Sequence, residues 1–198
     1  MSFAHMTRML ISDHDGWSDL SRIHATPREL MVTYVLPMSL IPPLMYAYAE
    51  VVAPGRVFPA LAPHLSLGEI TLVGVLFVLA ELAMVELMAN FIHQRNESAS
   101  PDPSYERAFA LAAVAPTPLW LASLALFIPQ LWVNVAAMVF AWVASAMMIR
   151  HGVRPLLGIE DDALAHRMAN TLTLAGVLAW VGLLVVLELL VSFVVGWR

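Results

Sequence analysis

The sequence predicts an all-α, polytopic membrane protein with five transmembrane helices, and three observations lead there. Of its 198 residues, 60% are hydrophobic and 13% charged, roughly half the charged fraction of a soluble domain. Mean hydropathy is +0.76. Five apolar runs, at about 29–52, 67–92, 106–128, 130–149 and 171–195, each approach or exceed the roughly 20 residues that cross a bilayer as a helix. Arginines, finally, sort to one side of those runs. Arg8, Arg22 and Arg28 precede the first, Arg95 and Arg107 separate the second from the third, and Arg150, Arg154 and Arg167 separate the fourth from the fifth. Only Arg56 and Arg198 fall on the other side, so the positive-inside rule puts the N-terminus in the cytoplasm and the C-terminus outside.

Composition removes several function classes. All ten basic residues are Arg, net charge is −5 and there is no Cys. No basic face exists for nucleic acid, and thiolate metal sites, disulfides and cysteine nucleophiles are excluded. Residues 1–28 read as a polar cytoplasmic leader of two short amphipathic helices on the membrane surface, with Phe3, Met6 and Leu10 on one stripe and Trp17, Leu20 and His24 on the next. Asp13, His14 and Asp15, with His24 downstream, form an ordinary solvated turn in preference to a metal cluster, because adjacent residues on a Gly-ended turn converge poorly on one ion. No metal and no cofactor is expected. The N-terminal stretch lacks the features of a cleavable signal.

Residues 29–198 read as one five-span domain. Thr26, Pro27 and Glu29 make a capping box with Pro at the first helical position, starting the first span. Inside that span, Pro37, Pro42 and Pro43 deprive upstream carbonyls of their donors, so a kink or an opening is expected. Tyr34, Ser39, Tyr46 and Tyr48 are available to satisfy the freed groups. Pro116 and Pro118 interrupt the third span in the same way. The chain thus reads as two Pro-kinked hairpins and one further helix, a faint repeat of the kind that points to a midplane site in transporters. In the fourth span Ala137, Ala141 and Ser145 form a small-residue face for close packing. Residues 150–170 read as a polar loop with a brief Leu164 and Met168 stripe, and Trp197 and Arg198 as an interfacial anchor.

The second span carries the acids. Ser66 and Glu69 form another capping box, which accounts for Glu69. Glu81 and Glu86 lie deeper, where a carboxylate costs about 2.5–3.5 kcal/mol on insertion scales and should face the bundle interior. At 100° per residue they point about 140° apart, whereas Glu86, Asn90 and His93 fall within about 60° of one another. Two features result: a lone deep acid at Glu81, and a polar stripe opening to the cytoplasm. Glu188 is the single acid of the fifth span. Every Arg lies at a span end, so Glu81 and Glu188 have no cationic partner at depth, while Arg28, Arg107 or Arg150 could reach Glu86. A carboxyl without such a partner is expected to keep its proton or to bind an ion.

A family resemblance appears in APTPLW from Ala115 to Trp120, the Ile128-Pro129 break, GVRPLLG from Gly152 to Gly158, the acidic Glu160, Asp161 and Asp162, and YVLPMSLIPP in the first span. These segments resemble bacterial inner-membrane members of the Yip family, the Ypt/Rab-interacting proteins, from about Glu29 onward. The resemblance implies a five-span domain with a cytosolic N-terminus. It associates eukaryotic relatives with vesicle trafficking through small GTPases, but the Asp-Leu-Tyr-Gly-Pro motif of those relatives is missing and the Rab-binding role does not carry over.

Three functional classes follow. The leading reading is a non-enzymatic membrane scaffold or interaction protein, binding another protein or anionic lipid through the leader and the 150–170 loop. The alternative is proton- or cation-linked small-solute transport or lipid translocation, using Glu81, Glu188 and the polar stripe. An enzyme has the least support, since no GxSxG or HExxH motif is present. The lipid bilayer is a partner in every case, and a homo-oligomer is left open.

Overall fold

A computed structural model describes Trp17 and residues 26–57, 65–100 and 102–196. Five helices are long and apolar enough to cross a membrane: α1 (Pro27–Val52), α2 (Leu67–Glu97), α3 (Tyr105–Phe127), α4 (Leu131–Leu157) and α5 (Asp162–Gly196). Leu111 beside Gly152, Ile149 beside Gly176, and Pro43 beside Gly74 show successive helices running in opposite directions. Arg28, Arg95, Arg107, Arg150, Arg154 and Arg167 consequently gather at one end of the bundle, here the arginine-rich end. Arg56 lies at the far end.

The helix ends follow their capping chemistry. Thr26 Oγ1 accepts from Glu29 N at 3.3 Å while Glu29 Oε2 accepts from Thr26 N at 2.9 Å, and Ser66 and Glu69 repeat this at α2. Both expected capping boxes are present. Gly158, at φ +67°, ends α4 in the left-handed region, and Asp161 Oδ1 accepts from Leu164 N at 2.9 Å as α5 starts. The stretch 150–170 is therefore not a loop. It is the end of one helix, a tight turn and the first turns of the next. Apolarity measures what the bilayer covers, whereas a backbone already helical keeps its hydrogen bonds in water beyond that limit. For the same reason α2 runs on to Glu97.

The prolines break α1 and α3 without stranding the backbone. Met31–Val35 widens into a π-turn just before Pro37, the usual accommodation for a lost donor. Pro42 and Pro43 fall in the first turn of Ile41–Val52, where no intrahelical donor is needed. In α3, Pro118 cannot donate to Val114 O, and Thr117 Oγ1 does so instead at 2.6 Å. Ser39 Oγ bonds Leu36 O in the same way at 3.0 Å. Of the expected helpers near these breaks, Tyr34 acts across helices: its hydroxyl pairs with Thr117 Oγ1 at 2.7 Å.

The helices form a ring in which α1 packs on α2 and α3, α5 packs on α2 and α4, and α3 packs on α4. At the arginine-rich end α2 and the first half of α3 also pack against each other and close the ring with a core of Phe109, Leu111, Met148, Leu156 and Leu157. Beyond the break at Pro116, α3 turns to α1 and α4, where Tyr48 and Phe127 stack edge to face at 4.9 Å. Met168 is buried and Leu164 half-buried against the core, as their stripe suggests. Outward faces are apolar, with Trp132 81% exposed and Phe140 73%. Such faces contact lipid, and the chain is a multi-pass membrane protein.

Trp17 belongs to this core. It is fully buried, and its ring lies so close to Gly152 that a Cβ there would come within 2.9 Å. The expected helix from Trp17 to His24 was to lie on the membrane; at Trp17 the chain instead inserts into protein, because Gly152 leaves a slot the size of an indole edge. The rest of that stripe, the Asp13, His14, Asp15 and His24 turn, and Trp197 and Arg198 lie outside the described residues.

Candidate functional site

The break in α3 separates its second half from α2, and the space so created is a cavity of about 760 Å³ inside the ring. Its walls extend along α2 from Val73 to Ile92, about 28 Å at 1.5 Å per residue. All five helices contribute. Pro42, Pro43 and Pro116 line it, whereas Pro37 and Pro118 do not.

Glu81 is the buried acid of this cavity. It is 4% exposed, and Trp120 Nε1 donates to its Oε1 at 3.1 Å. Its Oε2 has no hydrogen-bond partner among the described residues. Trp120 was not picked out from the sequence beyond its place in a motif; the signal was its position two residues past Pro118, where the reoriented helix turns the indole toward α2. Ser145 also lines the cavity, and its buried Oγ has no partner among the described residues.

Glu188 lines the same cavity but is exposed. The Met84–Gly182 contact aligns α2 with α5 and puts Glu188 only about 5 Å farther along the axis toward the far end than Glu81. The structure thus brings both deep acids to one space. It adds Glu50, near the end of α1, and Tyr46, which lies within electrostatic reach of both Glu50 and Glu188. Trp142 and Trp180, perpendicular with centroids 4.9 Å apart, form part of the wall. No Arg or His among the described residues lines it.

The Glu86, Asn90 and His93 stripe is absent from the cavity lining. Glu86 and Asn90 are exposed. Glu86 accepts from the Tyr105 hydroxyl rather than pairing with an arginine, since Arg107 is held by Asp102 at 2.8 Å. Asn90 Nδ2 donates to the Glu86 carbonyl at 2.9 Å. His93 stacks edge to face on Tyr105 and meets Glu97 at 3.5 Å. These residues fasten α2 to the start of α3. One turn on, Asn96 is fully buried with neither Oδ1 nor Nδ2 partnered among the described residues; its polar neighbours Gln94 and Glu97 hid it in the sequence. Among the described residues, no group of three metal-ligating side chains converges.

Comparison with curated proteins and with solved structures finds no significant match. A family model, the Yip1 domain, matches residues 7–186, and that family consists generally of non-enzymatic trafficking proteins. The matched range takes in the whole of α1 to α4, both proline breaks and the first two-thirds of α5, and with them nearly all of the cavity. This five-helix membrane chain belongs to the Yip1 domain family.

Proposed function

We propose that the protein is a non-enzymatic carrier that takes a small amphiphilic molecule into its helix bundle, in the manner of a solute transporter or a lipid-translocating protein. The observation carrying this reading is the cavity of about 760 Å³, a size suited to a whole small ligand, running along the bundle axis with Glu81 at mid-depth. A helix pair needed only as an anchor has no use for such a space. By the arginine distribution the arginine-rich end is cytoplasmic, and by resemblance the membrane is a bacterial inner membrane.

A scaffold role is the second reading, favoured by the trafficking character of the family. Its proposed contact at 150–170 is reduced by the helical turn found there, which leaves the leader as the principal surface. Deleting residues 1–12, which keeps Trp17 in the core and Thr26 at the cap of α1, should then abolish co-purification of a specific protein.

The carrier reading is tested by photolabelling the full-length protein in lipid nanodiscs with diazirine-bearing alkyl chains carrying neutral, cationic or anionic head groups. At least one probe should label buried cavity residues such as Phe77 and Val85, and Ala146→Phe, which adds bulk to the wall, should suppress that labelling. Labelling confined to lipid-facing residues such as Trp132 and Phe140 refutes the reading.

A further inference from the structure

The lining of the cavity says which head group it suits. Three carboxylates, those of Glu50, Glu81 and Glu188, share the space with Trp120, Trp142 and Trp180. No Arg or His among the described residues reaches it. A phosphate or sulfate head group would meet carboxylates and indole faces with no cationic side chain among the described residues to neutralise it, at a depth where unpaired charge is costly. An ammonium meets the reverse: carboxyl groups whose ionised form it stabilises, and the negative faces of indole rings, the combination that recognises quaternary ammonium ligands.

The second observation is the burial of unpartnered polar groups in residues of the cavity wall. Glu81 is 4% exposed and Ser145 8%, yet Glu81 Oε2 and Ser145 Oγ have no partner among the described residues, and both residues line the cavity. Buried polar groups are ordinarily hydrogen-bonded. Trp120 donates one bond to Glu81 Oε1, which fixes the carboxyl at the cavity wall with its second oxygen enclosed and unpartnered among the described residues. The remaining wall is apolar, from Phe77 and Val85 on α2 to Leu184 and Val191 on α5, and suits a hydrocarbon chain.

Resting on the carrier reading above, we propose that the ligand is a lipophilic cation: an amphiphile of net positive charge whose ammonium group is received by the Glu81 carboxyl and whose alkyl chain lies along the apolar wall. Glu188, about 5 Å farther toward the far end, is a second carboxylate on the same path. The absence of a basic side chain in the described lining separates a free alkylammonium from a zwitterionic lipid. Both present an ammonium, but the lipid brings a phosphate, and no cationic side chain among the described residues lines the cavity to meet its charge.

The test uses the full-length protein in nanodiscs and four diazirine probes of one chain length, ending in trimethylammonium, phosphocholine, hydroxyl or sulfate. The trimethylammonium probe should label cavity peptides at a concentration on the order of ten-fold lower than the others. Glu81→Gln should remove that preference while hydroxyl-probe labelling stays the same. Glu188→Gln, at an exposed position that tolerates substitution, should reduce the preference and keeps the test valid should Glu81→Gln fail to fold. Equal labelling by all head groups, a preference for sulfate, phosphocholine labelling as efficient as trimethylammonium, or a preference unmoved by both variants overturns the cation assignment and leaves the carrier reading standing. Absence of cavity labelling by any probe overturns both.

Discussion

Trp120 Nε1 donates to Glu81 Oε1 at 3.1 Å, joining two residues 39 positions apart on α3 and α2. Among the described residues this is the only hydrogen bond to the Glu81 carboxyl, and the apolar environment makes its loss expensive. Trp120→Phe is expected to destabilise the bundle by about 1–3 kcal/mol, because a buried polar group is left unpaired. Adding Glu81→Leu should recover part of that loss, since replacing both partners by apolar groups is far milder than removing one. Unfolding by steric trapping in bicelles measures both; a double variant no more stable than Trp120→Phe alone contradicts the account.

Thr117 stands in for a donor that Pro118 lacks. Thr117→Val removes its bonds to Val114 O and to the Tyr34 hydroxyl and should cost about 1–3 kcal/mol, while Tyr34→Phe, which removes only one, should cost about 0.5–1.5 kcal/mol. Restoring a backbone donor with Pro118→Ala should rescue Thr117→Val in part. The same unfolding assay reads the rescue, and its failure would remove the role assigned to the hydroxyl.

Gly152 is the floor on which Trp17 and Leu111 rest. A Cβ at this position would lie 2.8 Å from Leu111 Cδ1 and 2.9 Å from the Trp17 ring. Leu111 can swing its methyl away, but the indole is rigid, so Gly152→Ala should cost about 1–3 kcal/mol by overpacking. In a Trp17→Ala background the same change should be nearly neutral. Strict additivity of the two substitutions would show that Trp17 is not seated there.

The exposed stripe should be dispensable for the cavity. Glu86→Gln is expected to change stability by no more than about 0.5 kcal/mol, as for other surface positions, and to leave photolabelling of cavity peptides unaltered. Solute flux through proteoliposomes should likewise respond to Glu81→Gln and Glu188→Gln but not to Glu86→Gln. Equal loss in all three variants would return Glu86 to the functional site.

Where these residues sit was only partly legible in the chain. The capping boxes at Thr26 and Ser66 could be read because both partners lie within three residues of each other. The 140° between Glu81 and Glu86 could be read because a helix fixes the angle between its own side chains. Asn96 could not, because an Asn among polar neighbours looks the same whether its helix turns it to water or into a core.

The sequence by itself determined five membrane-length helices, two of them broken by proline, since hydrophobic length and missing N–H donors are local properties. It also determined that two acids lie at depth without an arginine within reach along their own helices. Only the tertiary structure decided that Glu81 and Glu188 share one cavity with Glu50, that Trp120 holds the first of them, that Glu86 is left outside, and that Trp17 is packed within. Those outcomes depend on how helices distant in sequence are rotated and aligned against one another. That alignment is set by contacts such as Met84 on Gly182 and Trp17 on Gly152, in which each helix supplies one half of the fit.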